Sequence, residues 1–401
     1  MPHRILVLGA GYAGASAAGY LARRLHRDDF AITVVNAESD FVERMRLHQL
    51  ASGQDLRHHD LAKPFAGTCA RLRPARVTAV DADARTVTVA DAEGVERLGY
   101  DTLLYTLGSG VADHGVPGAA EHAFHFTGRP GALRLRRRLN ELGEGGSVLV
   151  VGGNLTAIEG VTEIAESHPE LRVSLATDGE LGGWLGPAAR RRLLRACDRF
   201  GIAVCERTPV EAVTSAGAVT AGGTVFEADA VVWAAGFSVH PIAAASGLAV
   251  EDDGRITVDE AMRSVSHPEV YAAGDSGYAI GRNGRPLPMS CASAGFSGKR
   301  AVAGILEELT GRRVSSYPLV YIGNHISLGR KDAIFQLVDG DARSKSWALG
   351  GRVAARLKDG ILKGAAWSIA HPTFGMPTRR YRLSATAGRT AADGSAEAFS
   401  V

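Results

Sequence analysis

Short apolar runs, each followed by glycine or a polar turn, organise the first 240 residues. The runs that predict buried strands of a parallel sheet lie at 5–8, 31–35, 100–107, 147–151, 172–175 and 230–233. A helix rich in small residues follows the first run, and a second strand, glycine turn and helix begin at Ser147. Alternating residues at 76–80 and 86–89 predict a hairpin. The same strand–turn–helix unit therefore occurs twice in one chain.

This repetition predicts an α/β fold with two Rossmann-like dinucleotide-binding domains and a small α+β C-terminal module. The first domain is expected in two parts, separated by the second domain, because apolar strand patterns resume after residue 239. The expected boundaries are 1–110 and 239–318 for the first domain, 111–238 for the second, 319–384 for the module and 385–401 for a flexible tail. A length of 401 residues suits this division into several cores.

The first glycine motif, Gly9-Ala10-Gly11-Tyr12-Ala13-Gly14, connects the first strand to the first helix. In such a turn the first glycine permits the tight bend, the second lets the backbone approach a pyrophosphate, and the third lets helix pack on strand. The second strand ends in Asn36, where an acidic residue usually binds the ribose hydroxyls. An amide can also hydrogen-bond a ribose, so the motif still predicts a dinucleotide.

Two later segments make the prediction more specific. Thr106-Leu107-Gly108-Ser109 ends an apolar strand, and Ala272-Ala273-Gly274-Asp275 ends another far downstream. With the first glycine motif, they make residues 1–310 resemble the two-dinucleotide flavoprotein reductases of the pyridine nucleotide-disulfide oxidoreductase superfamily. Within it the chain is most similar to the type II NADH:quinone dehydrogenases. The resemblance implies that FAD is bound and that Asp275 hydrogen-bonds its ribityl chain.

The glycine motif and this resemblance together give the full set of residues expected at FAD. They are Gly9, Gly11, Ala13, Gly14, Asn36, Ala37, Arg44, Val77, Thr106, Gly108, Gly274, Asp275 and Ala292.

The four cysteines exclude thiol–disulfide relay chemistry, because they are scattered along the chain and the stretch 40–60 has none.

The second motif, Gly152-Gly153-Asn154-Leu155-Thr156-Ala157, is expected to bind NAD(P)H. It departs from the family pattern at Asn154, whose side chain we expect to point into the phosphate approach and weaken binding. Asp178, just after the next strand, favours NADH over NADPH. The resemblance places Glu159 near the nicotinamide and quinone, but a structural role at a helix start is an equal alternative.

Three further features leave alternatives open. His48 is either a proton donor beside the flavin or a histidine packed there without chemistry. The two glutamines of the related quinone sites are replaced by Ala292 and Phe296, which weakens the quinone assignment. A late helix at 346–369 carries Val353, Leu357 and Ile361 four residues apart, and its glycines favour burial on the protein over a membrane or dimer contact.

Composition adds a few exclusions. The net charge of +2 gives no field that would attract nucleic acid, and the thirteen histidines show no metal-ligand spacing. No apolar run approaches the ~20 residues of a membrane-spanning helix. We therefore expect a cytoplasmic protein that acts on small molecules, with peripheral membrane contact and a homodimer left open.

The sequence thus predicts an FAD-dependent NAD(P)H dehydrogenase that passes hydride through flavin to a quinone or another small organic acceptor. The alternative keeps FAD but loses the nicotinamide site, so that the enzyme oxidises an organic substrate directly. Asn154 and the missing glutamines favour this alternative. A third possibility is a protein used only for interaction, against which the retained Gly108 and Asp275 argue.

Overall fold

A computed structural model describes residues 1–314, 318–339, 343–374 and 379–385. The chain begins with a strand–helix–strand unit and a three-stranded antiparallel sheet. The elements are β1 (His3–Leu8), α1 (Tyr12–Arg24), β2 (Phe30–Asn36), α2 (Leu47–Ala51), β3 (Ala70–Pro74), β4 (Arg76–Asp81), β5 (Thr86–Asp91), β6 (Gly94–Gly99), β7 (Thr102–Tyr105) and β8 (Ser109–Val111). The predicted hairpin is thus extended by β6, which pairs with β5.

A second strand–helix unit follows. Its elements are α3 (Ala119–His122), α4 (Arg129–Glu141), β9 (Ser147–Val151), α5 (Leu155–Ser167), β10 (Arg172–Ala176), α6 (Pro187–Arg199), β11 (Ala203–Cys205), β12 (Val210–Thr214), β13 (Gly217–Thr220), β14 (Val225–Glu227) and β15 (Ala230–Trp233). Strands β11, β10, β9 and β15 form a parallel sheet in that order. The core around α4, α5 and α6 lies against this sheet.

The chain then returns to the first sheet and ends in a small module. The elements are β16 (Phe237–Val239), β17 (Ile256–Thr257), β18 (Val270–Ala272), β19 (Gly277–Tyr278), α7 (Cys291–Thr310), β20 (Gly323–Ser327), β21 (Ala333–Leu337), β22 (Leu349–Gly350) and α8 (Gly351–Ala370). Strand β18 completes a parallel sheet of order β18-β7-β1-β2-β3. Helices α1 and α7 pack on one face of it, while β4 and β5 contribute to the core on the other.

Two parallel sheets with strand–turn–helix units confirm the predicted α/β class. Each unit places a glycine turn at the carboxyl end of its first strand, β1 or β9. In open α/β sheets ligands bind at these ends, so both turns are candidate nucleotide sites. Of the predicted tail, only residue 385 lies within the described residues.

The face of α8 that packs on the protein differs from the predicted one. The stripe Val353, Leu357 and Ile361 is 62%, 42% and 41% exposed, so our preference for its burial was wrong. The buried face lies one position further on, at Ala354, Lys358, Leu362, Ala366 and Ile369. Small alanines and the lysine stem let α8 lie close to the body of the protein, which leaves the bulkier stripe outside.

Candidate functional site

The first glycine turn has the shape of a phosphate cradle. Gly9 has a φ of +88°, and a Cβ there or at Gly14 would overlap backbone oxygen. A Cβ at Gly11 would meet no atom within 4 Å. Gly11 is also the N-cap of α1, with no side chain bonded to the free N–H groups. The space beside Gly11 at the start of α1 is therefore open, as approach of a pyrophosphate to the free N–H groups requires.

The two later motifs meet beside this turn. The buried Thr106 hydroxyl donates to the carbonyls of Leu8 (2.7 Å) and Gly9 (2.9 Å). The Ser109 hydroxyl donates to the Asp275 carboxylate at 2.6 Å, and Arg44 donates to the Ser109 carbonyl at 2.9 Å. Thr106 therefore braces the glycine turn, while the partly exposed Asp275 is held at the site.

Backbone hydrogen bonds from Gly108 and Gly274 connect the two later motifs to each other and to α7. The Gly108 N–H donates to Ser276, and the Gly274 N–H donates to Ser297 of α7, both at 3.0 Å. A Cβ at Gly274 would lie 3.3 Å from the Cβ of Ala13. Only glycine-sized contacts allow α1, α7 and the Gly-Asp turn to approach this closely.

The other residues predicted to bind FAD differ in how far they are buried. Asn36 accepts from the Ala10 N–H (2.9 Å) and donates to the Glu38 carbonyl (2.7 Å), so its amide already braces the turn. Ala37 is exposed just beyond it, and Val77 is buried in β4. Ala292 is exposed in the first turn of α7. An open cradle and a nearby carboxylate fit FAD, and the structure brings most of the predicted set together.

The second glycine turn differs at its N-cap. The Asn154 side chain accepts from the Ala157 N–H at 3.1 Å and donates to the Ala234 carbonyl at 2.9 Å. Its side chain is thus folded back onto α5 and does not project outward as expected. One of the N–H groups that would face a phosphate is already satisfied, whereas the equivalent Gly11 leaves its helix open.

A buried ion pair connects α5, the helix that follows this turn, to α8. Glu159, in the second turn of α5, contacts the Lys358 ammonium of α8, and the two side chains are 12% and 9% exposed. The Ser327 N–H donates to the same carboxylate at 2.9 Å, and Lys358 donates to the His325 carbonyl at 3.1 Å. Burial lowers the pKa of Lys358 to about 7. The facing carboxylate opposes this effect by stabilising the charged ammonium.

His48 lies close enough to this pair for the charge of Lys358 to affect its protonation. Burial, then the charges of Lys358 and Arg46, lower the pKa of His48 to about 3. Its Nε2 atom has no hydrogen-bond partner among the described residues. His48 is therefore neutral at neutral pH. Its environment differs from that of the proton donor we considered, whose pKa would be near the ordinary value.

Sequence reasoning missed Lys358 and Ser327, because both lie in the C-terminal module about 170 to 200 residues after Glu159. One signal was available: Lys358 is one of only six lysines among 45 basic residues. It lies one position after Leu357 of the apolar stripe in α8, so neither spacing nor charge pattern pointed to Glu159.

Two structural features that partners would require are absent from the described residues. No helix within them has the length and apolar character needed to cross a membrane. No cluster of three or more histidine, cysteine or acidic side chains in this part of the chain is arranged to hold a metal ion.

The chain belongs to the pyridine nucleotide-disulphide oxidoreductase family, whose model matches residues 3–298. It is 28% identical over 357 residues to an NADH dehydrogenase-like protein of Mycobacterium tuberculosis, covering 83% of this chain and 87% of the relative. It is 26% identical over 362 residues to a type II NADH:quinone oxidoreductase of Staphylococcus haemolyticus, covering 82% and 89%.

Solved structures show the same fold. The sulfide:quinone oxidoreductase of Aquifex aeolicus has a TM-score of 0.75 at 19% identity, over 92% of each chain. NDH2 of Plasmodium falciparum has a TM-score of 0.76 at 13% identity, over 95% of this chain and all of the other. The predicted family, the enzyme class of FAD-dependent oxidoreductase, and FAD with NAD(P)H as cofactors are confirmed.

Proposed function

We propose that this enzyme takes electrons from NADH and delivers them through FAD to a quinone. The observation that carries the proposal is the buried Glu159–Lys358 pair, which joins the second nucleotide unit to the C-terminal module. FAD, when bound, supplies the two-electron transfer between donor and acceptor. Reduction of a quinone to a quinol needs two electrons and two protons. The hydride from NADH accounts for the electrons and one proton, so a buried group that can give up the other proton has a direct use.

Lys358 meets the requirements of such a group. Its pKa of about 7 means that it both holds and releases a proton near neutral pH. Glu159 and the His325 carbonyl hold its ammonium in place. The neutral His48 adds no positive charge to this cluster, so protonated Lys358 is not further disfavoured there.

The names of relatives support a quinone acceptor. They include a type II NADH:quinone oxidoreductase of Staphylococcus haemolyticus and a demethylphylloquinone reductase of Synechocystis. This chain has Ala292 and Phe296 in place of the two family glutamines. We infer that the quinone is held here without those amides, by apolar contact at the start of α7 and proton donation from Lys358.

We further propose that α8 rests on a membrane surface, where a lipophilic quinone would dissolve. Its exposed stripe Val353, Leu357 and Ile361 is flanked by Arg352 and Arg356. An apolar stripe beside basic residues suits the interface of an anionic bilayer.

Replacing Val353, Leu357 and Ile361 together by serine should lower binding to anionic phospholipid vesicles at least tenfold, since roughly 0.8 kcal/mol is lost for each buried CH₂. Co-sedimentation with vesicles measures this. Val225→Ser, at another exposed valine (59%), is the matched control and should bind as the wild type does. Equal sedimentation of the triple variant would contradict membrane contact through α8.

Asn154 sets the expected strength of nicotinamide binding. Asn154→Gly removes the side chain that caps Ala157, so we expect NADH to bind about three- to tenfold more tightly, by up to ~1.4 kcal/mol. Anaerobic titration of flavin reduction measures the dissociation constant. Asn154→Asp keeps an acceptor for the Ala157 N–H, loses the bond to the Ala234 carbonyl and adds a negative charge, so it should bind NADH more weakly than the wild type. An unchanged constant in Asn154→Gly would show that the cap does not compete.

The proposed function is tested by adding NADH anaerobically to the FAD-loaded protein and then a short-chain menaquinone analogue. We expect the flavin band to bleach with NADH and to return with quinone. A second candidate, direct oxidation of an organic substrate, is favoured by the Asn154 cap and the missing glutamines. This second candidate predicts that the flavin stays oxidised when NADH is added. If NADH bleaches the flavin but quinone does not restore its band, only the proposed quinone acceptor is rejected.

A further inference from the structure

A single exposed tryptophan lies beside the second glycine turn. The Trp184 side chain is 39% exposed, and its indole N–H points to the Gly153 carbonyl at 3.5 Å. Gly153 itself is packed so closely on Thr177 that a Cβ there would overlap the threonine hydroxyl. Trp184 and Thr177, at the end of β10, are therefore both neighbours of Gly153.

The turn that carries Trp184 is well anchored. Leu181 is fully buried, and Leu185 is 7% exposed. The Leu181 N–H donates to Glu206 at 2.9 Å, and the Gly186 N–H donates to Gln336 at 3.3 Å. The exposure of Trp184 is thus set by buried neighbours and hydrogen bonds on both sides. A large aromatic surface is held outward at a fixed place.

The neighbouring polar groups suit the adenosine half of a dinucleotide. Asp178, just beyond β10, is exposed, and its carboxylate accepts a hydrogen bond from Thr177 at 3.4 Å. In Rossmann-like units an acidic side chain near the end of the second strand, here β10, binds ribose hydroxyls, and the pyrophosphate lies at the N-terminus of the helix after the first strand, here α5. Asp178 and Trp184 therefore flank the place where the base would follow the ribose.

We propose that Trp184 stacks on the adenine of the nicotinamide nucleotide and holds its adenosine half. This inference rests on the proposed use of the second glycine turn for NADH, but not on the identity of the electron acceptor. Stacking offsets the binding free energy lost at the N-cap of α5, where Asn154 already satisfies one N–H group that would otherwise bind the pyrophosphate. The base is thus bound by an aromatic face where the phosphate has lost a donor.

The test measures binding of ADP-ribose, which carries the adenosine half without the nicotinamide, to FAD-loaded protein by calorimetry. Trp184→Ala and Trp184→Leu should each weaken binding about tenfold, because stacking of a base on an aromatic ring is lost. Trp184→Phe keeps an aromatic face and should stay within about threefold of the wild type. Trp347→Ala, at a tryptophan that is 61% exposed in the C-terminal module, is the matched control and should bind normally.

The leucine variant separates stacking from packing, since leucine restores apolar bulk without an aromatic face. The proposal is overturned if Trp184→Ala binds within twofold of the wild type, or if leucine restores binding as well as phenylalanine does. It is also overturned if the wild type does not bind ADP-ribose. A failure of quinone reduction leaves this measurement unaffected, because no acceptor takes part.

Discussion

Substituting Gly11 by alanine should lower FAD affinity at least about a hundredfold, or ~2.7 kcal/mol, while the apoprotein keeps its fold. No atom lies within 4 Å of the Cβ that alanine would add, so the folded chain tolerates it. The same Cβ would stand at the open end of α1, where a pyrophosphate must approach the backbone. Fluorescence titration of FAD into apoprotein, alongside thermal unfolding of the apoprotein, measures both effects.

Two other glycine variants serve as comparisons for Gly11→Ala. Gly360→Ala, in α8, also adds a Cβ with no neighbour within 4 Å. It should leave FAD affinity unchanged and raise the unfolding temperature slightly, because alanine favours a helix interior by about 1 kcal/mol over glycine. Gly14→Ala would overlap the Gly9 carbonyl and should unfold the apoprotein at a lower temperature. If Gly11→Ala loads FAD as the wild type does, the first glycine turn is not the pyrophosphate site.

The second large effect is expected at Lys358. Lys358→Met removes the proton-holding group and should slow quinone reduction about a hundredfold, the scale of general acid catalysis. Reduction of the flavin by NADH should change less than about threefold, because that step needs no proton from Lys358. Stopped-flow measurement of the reductive and oxidative steps separates the two. Equal losses in both steps would indicate a role in assembly of the site.

Stability must be controlled in this experiment, because Lys358→Met leaves Glu159 buried without its partner. Breaking such a pair costs roughly 3–5 kcal/mol. The double variant Glu159→Gln with Lys358→Met removes both charges and should recover much of that loss without recovering quinone reduction. Activity that returns with stability would contradict the proton-donor role.

The pH dependence gives an independent readout. A donor with a pKa of about 7 loses its proton as the pH rises through that value, so the oxidative step should slow above pH 7. Lys358→Arg keeps a positive charge at all accessible pH values, and its profile should be flat from pH 6 to 9. His48, with a pKa of about 3, should contribute no inflection in this range. An unchanged inflection in Lys358→Arg would assign it to another group.

Local motifs were readable from the sequence because each depends on neighbouring residues. A glycine turn between strand and helix demands small residues at set spacings, so Gly9, Gly11 and Gly14 were recognisable without coordinates. The same holds for the strand that ends at Thr106 and for the Gly274-Asp275 turn. Their meeting beside one glycine turn follows from the parallel order of β18, β7 and β1, which the structure shows.

Side-chain direction was not readable in this way. Asn154 was expected to obstruct a phosphate by pointing outward, but its amide satisfies Ala157 and Ala234. The choice depends on a carbonyl 80 residues away along the chain. Asn36 likewise braces the first turn through Ala10, although its position suggested only a ribose contact. In both cases a hydrogen bond to a residue distant along the chain competes with the ligand, and only the folded backbone shows that donor or acceptor.

The sequence by itself determined the α/β architecture, the family and the two glycine turns, because these depend on periodicity and on glycines within short segments. Only the tertiary structure decided which face of α8 is buried and that Lys358 meets Glu159. The apolar stripe and the buried face of α8 lie one residue apart. Apolar periodicity favours the stripe with the larger side chains, so it cannot identify a buried face that packs through alanines and a lysine stem. Contacts between distant segments depend on how the module docks, which no local pattern encodes.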